Sequence, residues 1–303
     1  MAVYIIVLDI NGGGCGTTGF IGSFINSVLI MKSIKFVIAL LVLSCALQAC
    51  QFNLSSDIVN AEKSIVSMGV NVSRLTDIDE IPVNNISYVN RGLIEAVPVE
   101  GILRTITDQR YYDFLNLLKS ELVKYPVNIL RTDVDNIFVA GQIVSDEDKY
   151  TAGFYYPGTQ NIYLFPLVFD MPSFEDGTTI HSTIHHEISS ILLRKYRFDM
   201  IGFMAYNGSN IEYWNDEGYL LKHPSASYYA SDALLAEGLL THYAQTSAEN
   251  DYNGYVEVTF AYPEVMSRFC SSYERVKFKY EFIKTFYLNI SADFQPVFDR
   301  VSC

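Results

Sequence analysis

The order of apolar patterns along the chain predicts an α+β fold. Three observations carry that expectation. A helix is signalled from about Thr107 to Tyr125, short strand-like runs occupy the stretch from 127 to 166, and the chain beyond about 179 is patterned as helices joined by loops. The architecture expected is a small mixed or antiparallel sheet packed on the helix near 179–195, with a mostly helical C-terminal part. No internal repeat or low-complexity tract interrupts the pattern.

Each element has its own signal. In the first helix Asp108 sits in the opening turn, Tyr111, Phe114, Leu115, Leu118 and Leu122 recur at helical spacing, and Pro126 ends the run. Val127–Leu130 and Asn136–Val144 read as strands, and Thr151–Tyr156, Pro157-Gly158 and Asn161–Pro166 read as a hairpin or as two strands around a turn. Asp176-Gly177 is a breaker before a helix from about Thr179 to Lys195, whose face is apolar at Ile180, Ile184, Ile188, Ile191 and Leu192. A stretch rich in Gly, Asn and Tyr from about Arg197 to Tyr229 reads as a loop insertion. A further helix is expected from about Ser231 to Ala248, with Asp232 near its start. Glu264–Phe269 and Tyr273–Leu288 repeat apolar residues at helical spacing. Gln51 to about Gly101, polar and weakly patterned, reads as a tether and entry segment.

The N-terminal part reads as targeting. From Met31, Lys32 and Lys35 form a positive region, Phe36–Leu47 is apolar, and Leu47-Gln48-Ala49-Cys50 reads as a lipobox. That apolar run is shorter than the ~20 residues of a spanning helix. The expected organisation is a spurious extension over 1–30, a lipoprotein signal peptide over 31–49, a tether over 50–100 beginning at a lipidated Cys50, and one domain over 101–303. This places the chain in the cell envelope, outside the cytoplasm, anchored by lipid to a membrane; Gln51 carries no inner-membrane retention signal of the Asp type, which favours the outer membrane. The glycines from Gly12 to Gly22 imitate a dinucleotide-binding turn, but Lys32, Lys35 and the apolar signal run stand where the second strand and its acidic residue belong. The net charge of −13 argues against nucleic acid as a partner. Processing at Cys50 would leave Cys270 and Cys303 as the cysteines free to pair, which spacing alone does not establish.

The chemistry-bearing segment is Thr183-Ile184-His185-His186-Glu187-Ile188-Ser189-Ser190. A zinc-hydrolase helix reads H-E-x-x-H: two imidazoles four residues apart hold the metal, and the Glu serves as general base on its water. His186 and Glu187 fit, and Ser190 occupies the position of the second His. All five His lie between 181 and 242. His181 and His185 are also four apart, on a different face of the same helix, and His223 lies in the loop before the next helix. As ordinary residues, His181 and His185 would be surface or capping groups, His223 a solvated loop residue, and Glu237 a plain helix acid.

With the lipobox, the strand at Asn161–Phe165, His186-Glu187 and Ala236-Glu237-Gly238, the segment from Thr151 to about Tyr255 resembles zincin-type zinc-binding metallopeptidases. In particular it resembles lipid-anchored zinc metallohydrolases associated with substrate import at the outer membrane. The resemblance implies a zincin-like fold, zinc held by His186 and Glu237, Glu187 as base, and an extended peptide or protein paired along the strand before the helix. It also implies outer-membrane nutrient-import proteins as partners. Ser190 departs from the pattern, since a hydroxyl is a far weaker zinc ligand than imidazole; His223 is a weak substitute. Two readings therefore stand: a zinc-dependent metallopeptidase, or a degenerate zincin-fold accessory lipoprotein that binds without cutting. A surface lipoprotein with an accidental His-Glu run is the third.

Overall fold

The computed structural model describes residues 54–75, 86–90, 93–97, 101–104, 106–145, 152–156, 159–167, 180–213 and 229–303. The extension, the signal segment, Cys50 and His223 lie outside the described residues.

The sequence expected to be a tether begins with a helix, α1 (54–67), which buries Ala61 and Ile65 one turn apart. Gly69, at φ 98°, then turns the chain into strand β1 (Asn71–Arg74). Two short strands follow, β2 (Ile86–Asn90) and β3 (Leu93–Val97), paired antiparallel. Strand β4 (Gly101–Arg104) pairs antiparallel with β6 (Gln142–Ser145). Residues 54–303 form one compact unit.

Helix α2 (Asp108–Leu122) starts as its sequence predicts: the Thr107 hydroxyl accepts from the Arg110 N–H, and Tyr111, Phe114, Leu115, Leu118 and Leu122 are buried. The expected strand at Val127–Leu130 is instead helix α3 (Val127–Asp133), with Pro126 at its N-cap. Its buried residues, Ile129, Leu130 and Asp133, have the spacing of one helix face and not the alternation of a strand. The expected strand Asn136–Val144 divides into β5 (Asn136–Val139) and β6.

The main sheet has the order β1-β5-β8-β7, with β7 (Gly153–Tyr156) and β8 (Asn161–Leu164) forming the expected hairpin. β1, β5 and β8 run parallel; β7 alone is antiparallel and ends the described sheet. β8 is thus an interior strand and is closed to edge pairing; the described edge beside the site belongs to β7. Packed on β7 and β8 is helix α4 (Ile180–Lys195), close enough that a Cβ on Gly153 would collide with the Thr183 side chain.

The chain continues through α5 (Met200–Met204) and α6 (Asp232–Ala236). The long helix expected over 231–248 breaks at Gly238, φ 94°, where the Leu239 N–H returns to the Leu234 carbonyl and the Gly238 N–H to that of Leu235. These bonds satisfy the last carbonyls of α6 and stop the helix. Helix α7 (Ala248–Ala261) restarts behind a Ser247 cap, followed by α8 (Pro263–Ser272), α9 (Glu274–Ile290) and α10 (Gln295–Phe298). Cys270 and Cys303 form a disulfide that ties the C-terminus to α8.

Candidate functional site

Helix α4 carries polar groups on three sides, and each side meets a different element. Toward α2, His185 is fully buried: its Nδ1 meets the Tyr125 hydroxyl at 2.8 Å and its Nε2 meets Glu121 at 2.6 Å. His181 reaches the other oxygen of Glu121 at 2.8 Å, and Lys124 also bonds that carboxylate. His185 is therefore neither a surface nor a capping residue. Burial alone would raise the Glu121 pKa, but the bonds from His181, His185 and Lys124 hold it well below the usual carboxylate range. Burial likewise pulls the His185 imidazole down.

Toward α7 the two helices run antiparallel, and a ladder of side chains repeats every four residues along both. His186 faces Glu257, Ser190 faces Asn253 and Arg194 faces Glu249. The His186 Nδ1 lies 2.6 Å from Glu257 Oε1. Asn253 sits at the centre of the ladder. Its Nδ2 is 3.0 Å from His186 Nε2 and 2.9 Å from Ser190 Oγ, and its Oδ1 accepts from Ser189 Oγ at 2.5 Å. With His186 neutral, Nδ1 donates to Glu257 and Nε2 accepts from Asn253, whose second N–H goes to Ser190; with His186 protonated, the amide turned over accepts from Nε2 and Ser190 and donates to Ser189.

Toward the sheet, Glu187 is buried at 6 % exposure, and its carboxylate is hydrogen-bonded to the Tyr155 backbone on edge strand β7. Burial pushes its pKa up to about 7, against the opposing pull of His186 and of that backbone bond. For His186 burial acts downward, but the bond to Glu257 and the charges of Glu187, Glu257 and Glu249 prevail and carry it up to about 9. Protonation at Nε2 would set an N–H against the Asn253 amide N–H, so taking up that proton requires the amide to turn over.

The predicted site residues thus separate. His186, Glu187 and Ser190 belong to one cluster. Glu237 does not join it: this residue caps α6, its carboxylate accepts from Asn210 Nδ2 at 3.3 Å, and it packs over Gly208. The carboxylate that meets His186 is Glu257, and the group between His186 and Ser190 is Asn253. No motif in the sequence marks either residue. Their signal is a pair of polar residues four apart in a segment that the structure buries almost throughout.

A zinc site needs three lone pairs converging on one point. Here the third group is an amide hydrogen-bonded to His186 Nε2, and the second is a hydroxyl. Among the described residues this set does not fit zinc, and no group of three or more His, Cys, Asp or Glu suited to a metal occurs there. Comparison with family models, with curated proteins and with solved structures gives no match to this chain.

Proposed function

We propose that this protein is a lipid-anchored envelope lipoprotein with a zincin-like scaffold, working as an accessory binding protein and not as a peptidase. The observation that carries this reading is Asn253, whose amide joins His186 and Ser190 by hydrogen bonds where a zinc centre would place its ion. The antiparallel edge strand above α4, the His-Glu pair on α4 and the antiparallel packing of α4 on α7 support the scaffold. The ligand is an extended peptide or a partner protein laid along β7, by edge pairing. Glu187 already engages the backbone of that strand at Tyr155, so a bound chain competes with it or pairs beside it.

One observation favours the peptidase reading. Glu187, buried and raised to about 7, has the protonation range wanted of a general base.

The test is equilibrium dialysis of the purified chain against zinc, followed by elemental analysis. No stoichiometric zinc is expected in the unmodified protein, and binding is expected in the double variant Ser190→His with Asn253→Glu. Stoichiometric zinc in the unmodified protein would return the peptidase reading to the front. Labelling with a radioactive fatty acid, lost on Cys50→Ala, tests the anchor.

A further inference from the structure

The far side of α7 holds a second buried polar cluster that the site does not use. Lys279 on α9 is fully buried, as is Asp251 on α7. The Lys279 Nζ lies 2.8 Å from Asn207 Oδ1, 2.5 Å from Asp251 Oδ2 and 2.9 Å from the Gly238 carbonyl. The rings of Phe203 and Tyr255 flank it, with centroids at 4.2 and 5.0 Å. Tyr213 completes a chain: its hydroxyl donates to Asp251 Oδ2 at 2.6 Å and accepts from Asn207 Nδ2 at 2.7 Å. Asp251 Oδ1 is buried with no hydrogen-bond partner among the described residues.

We propose that Lys279 and Asn207 are the two ends of a self-formed isopeptide bond, with Asp251 as the proton carrier. An amine, a carboxamide and an acid enclosed by aromatic rings are the parts such a crosslink requires. Burial pushes the Lys279 amine down and the Asp251 carboxyl up, which favours the uncharged pair. A desolvated, uncharged lysine is a nucleophile, and a fixed neighbour replaces a bimolecular encounter.

The step balances without a further reagent. Lys279 gives a proton to Asp251, and the freed Nζ lone pair attacks Asn207 Cγ. The Nζ–Cγ bond forms while the Cγ–Nδ2 bond breaks. A second proton from Nζ passes through Asp251 and the Tyr213 hydroxyl to Nδ2, which leaves as ammonia. The product ties the turn after α5 to α9 covalently.

Tryptic peptide mapping of the full chain by mass spectrometry tests this. The expected product is a branched peptide joining the 198–222 segment to the 278–284 segment, lighter than the two linear peptides together by one ammonia. Asn207→Asp should yield the same branched species, formed by loss of water, and keeps the side-chain shape should other variants fail to accumulate. Asp251→Asn and Lys279→Arg should yield none. Linear peptides alone in the unmodified protein would overturn the proposal and leave Lys279 and Asp251 as a buried ion pair. A linear 198–222 peptide lacking ammonia would overturn it too, since it marks a cyclic imide at Asn207-Gly208.

Discussion

Replacing Asn253 by Ala removes the centre of the ladder between α4 and α7. Three hydrogen bonds go at once: those to His186 Nε2, to Ser190 Oγ and from Ser189 Oγ. Ser189 and Ser190 are 0 % and 2 % exposed, so their hydroxyls cannot simply turn to bulk water. The three bonds contribute about 1 kcal/mol net each and the stranded Ser190 hydroxyl about 1 more, for a total of about 4 kcal/mol, while Ser189 keeps its bond to the His186 carbonyl. At roughly 2–4 °C per kcal/mol for a unit of this size, the melting temperature should fall by about 8–16 °C. Urea unfolding should show the same loss at an unchanged m-value. Asn253→Asp separates hydrogen bonding from packing, because it keeps the volume and removes both donors. It should be tolerated only where His186 can carry a proton on Nε2, so its deficit should grow as pH rises. A fall under about 2 °C for Asn253→Ala would refute the closed network. The case against a metal would fail with it.

The pH profile follows from three groups. Folding raises Glu187 from 4.5 to about 7, so its stabilising contribution is full below 4.5 and lost as pH rises through 7. His186, raised from 6.5 to about 9, loses its contribution over that higher window, while Glu121, held low, loses its own as pH falls below 4.5. Glu187→Gln should therefore flatten the fall between 4.5 and 7, worth about 3 kcal/mol in denaturant titrations. Glu121→Gln should weaken the α2–α4 contact by about 3 kcal/mol, because Lys124, His181 and His185 lose a charged acceptor; an unchanged melting temperature would contradict the network. Cys270 and Cys303 are 33 residues apart, so replacing both by Ser should cost about 3–4 kcal/mol through the longer free loop of the unfolded chain.

Where local chemistry decides, the sequence is a good guide. The Thr107 cap starts α2 where the sequence places it, β7 and β8 pair antiparallel, and Ile184, Ile188, Ile191 and Leu192 of α4 are all buried. The run His186-Glu187 with Ser190 is legible from residue spacing alone as one helical cluster, and the structure keeps these residues together on α4. The same local view fails where long-range packing decides. Val127–Leu130 has the β-branched composition of a strand, yet its buried residues recur as a helix once packed. Glu237 lies in a sequence that reads as continuous helix, and the left-handed Gly238 turns it away to Asn210.

The identity of the residue opposing His186 could only come from the tertiary structure. Helix α7 buries Asn250, Asp251, Asn253, Glu257 and Thr259 along with its apolar residues, so hydrophobic periodicity assigns it no clear inner face. Which of its polar groups meet α4 depends on how the two helices are rotated and shifted against each other. That register is set by the whole core, and it places Asn253 between His186 and Ser190, with Glu257 behind. The sequence by itself determined that Ser190 stands four residues after His186. The packing of α4 on α7 decided what closes the gap, because groups 67 residues apart meet only when both helices are buried together.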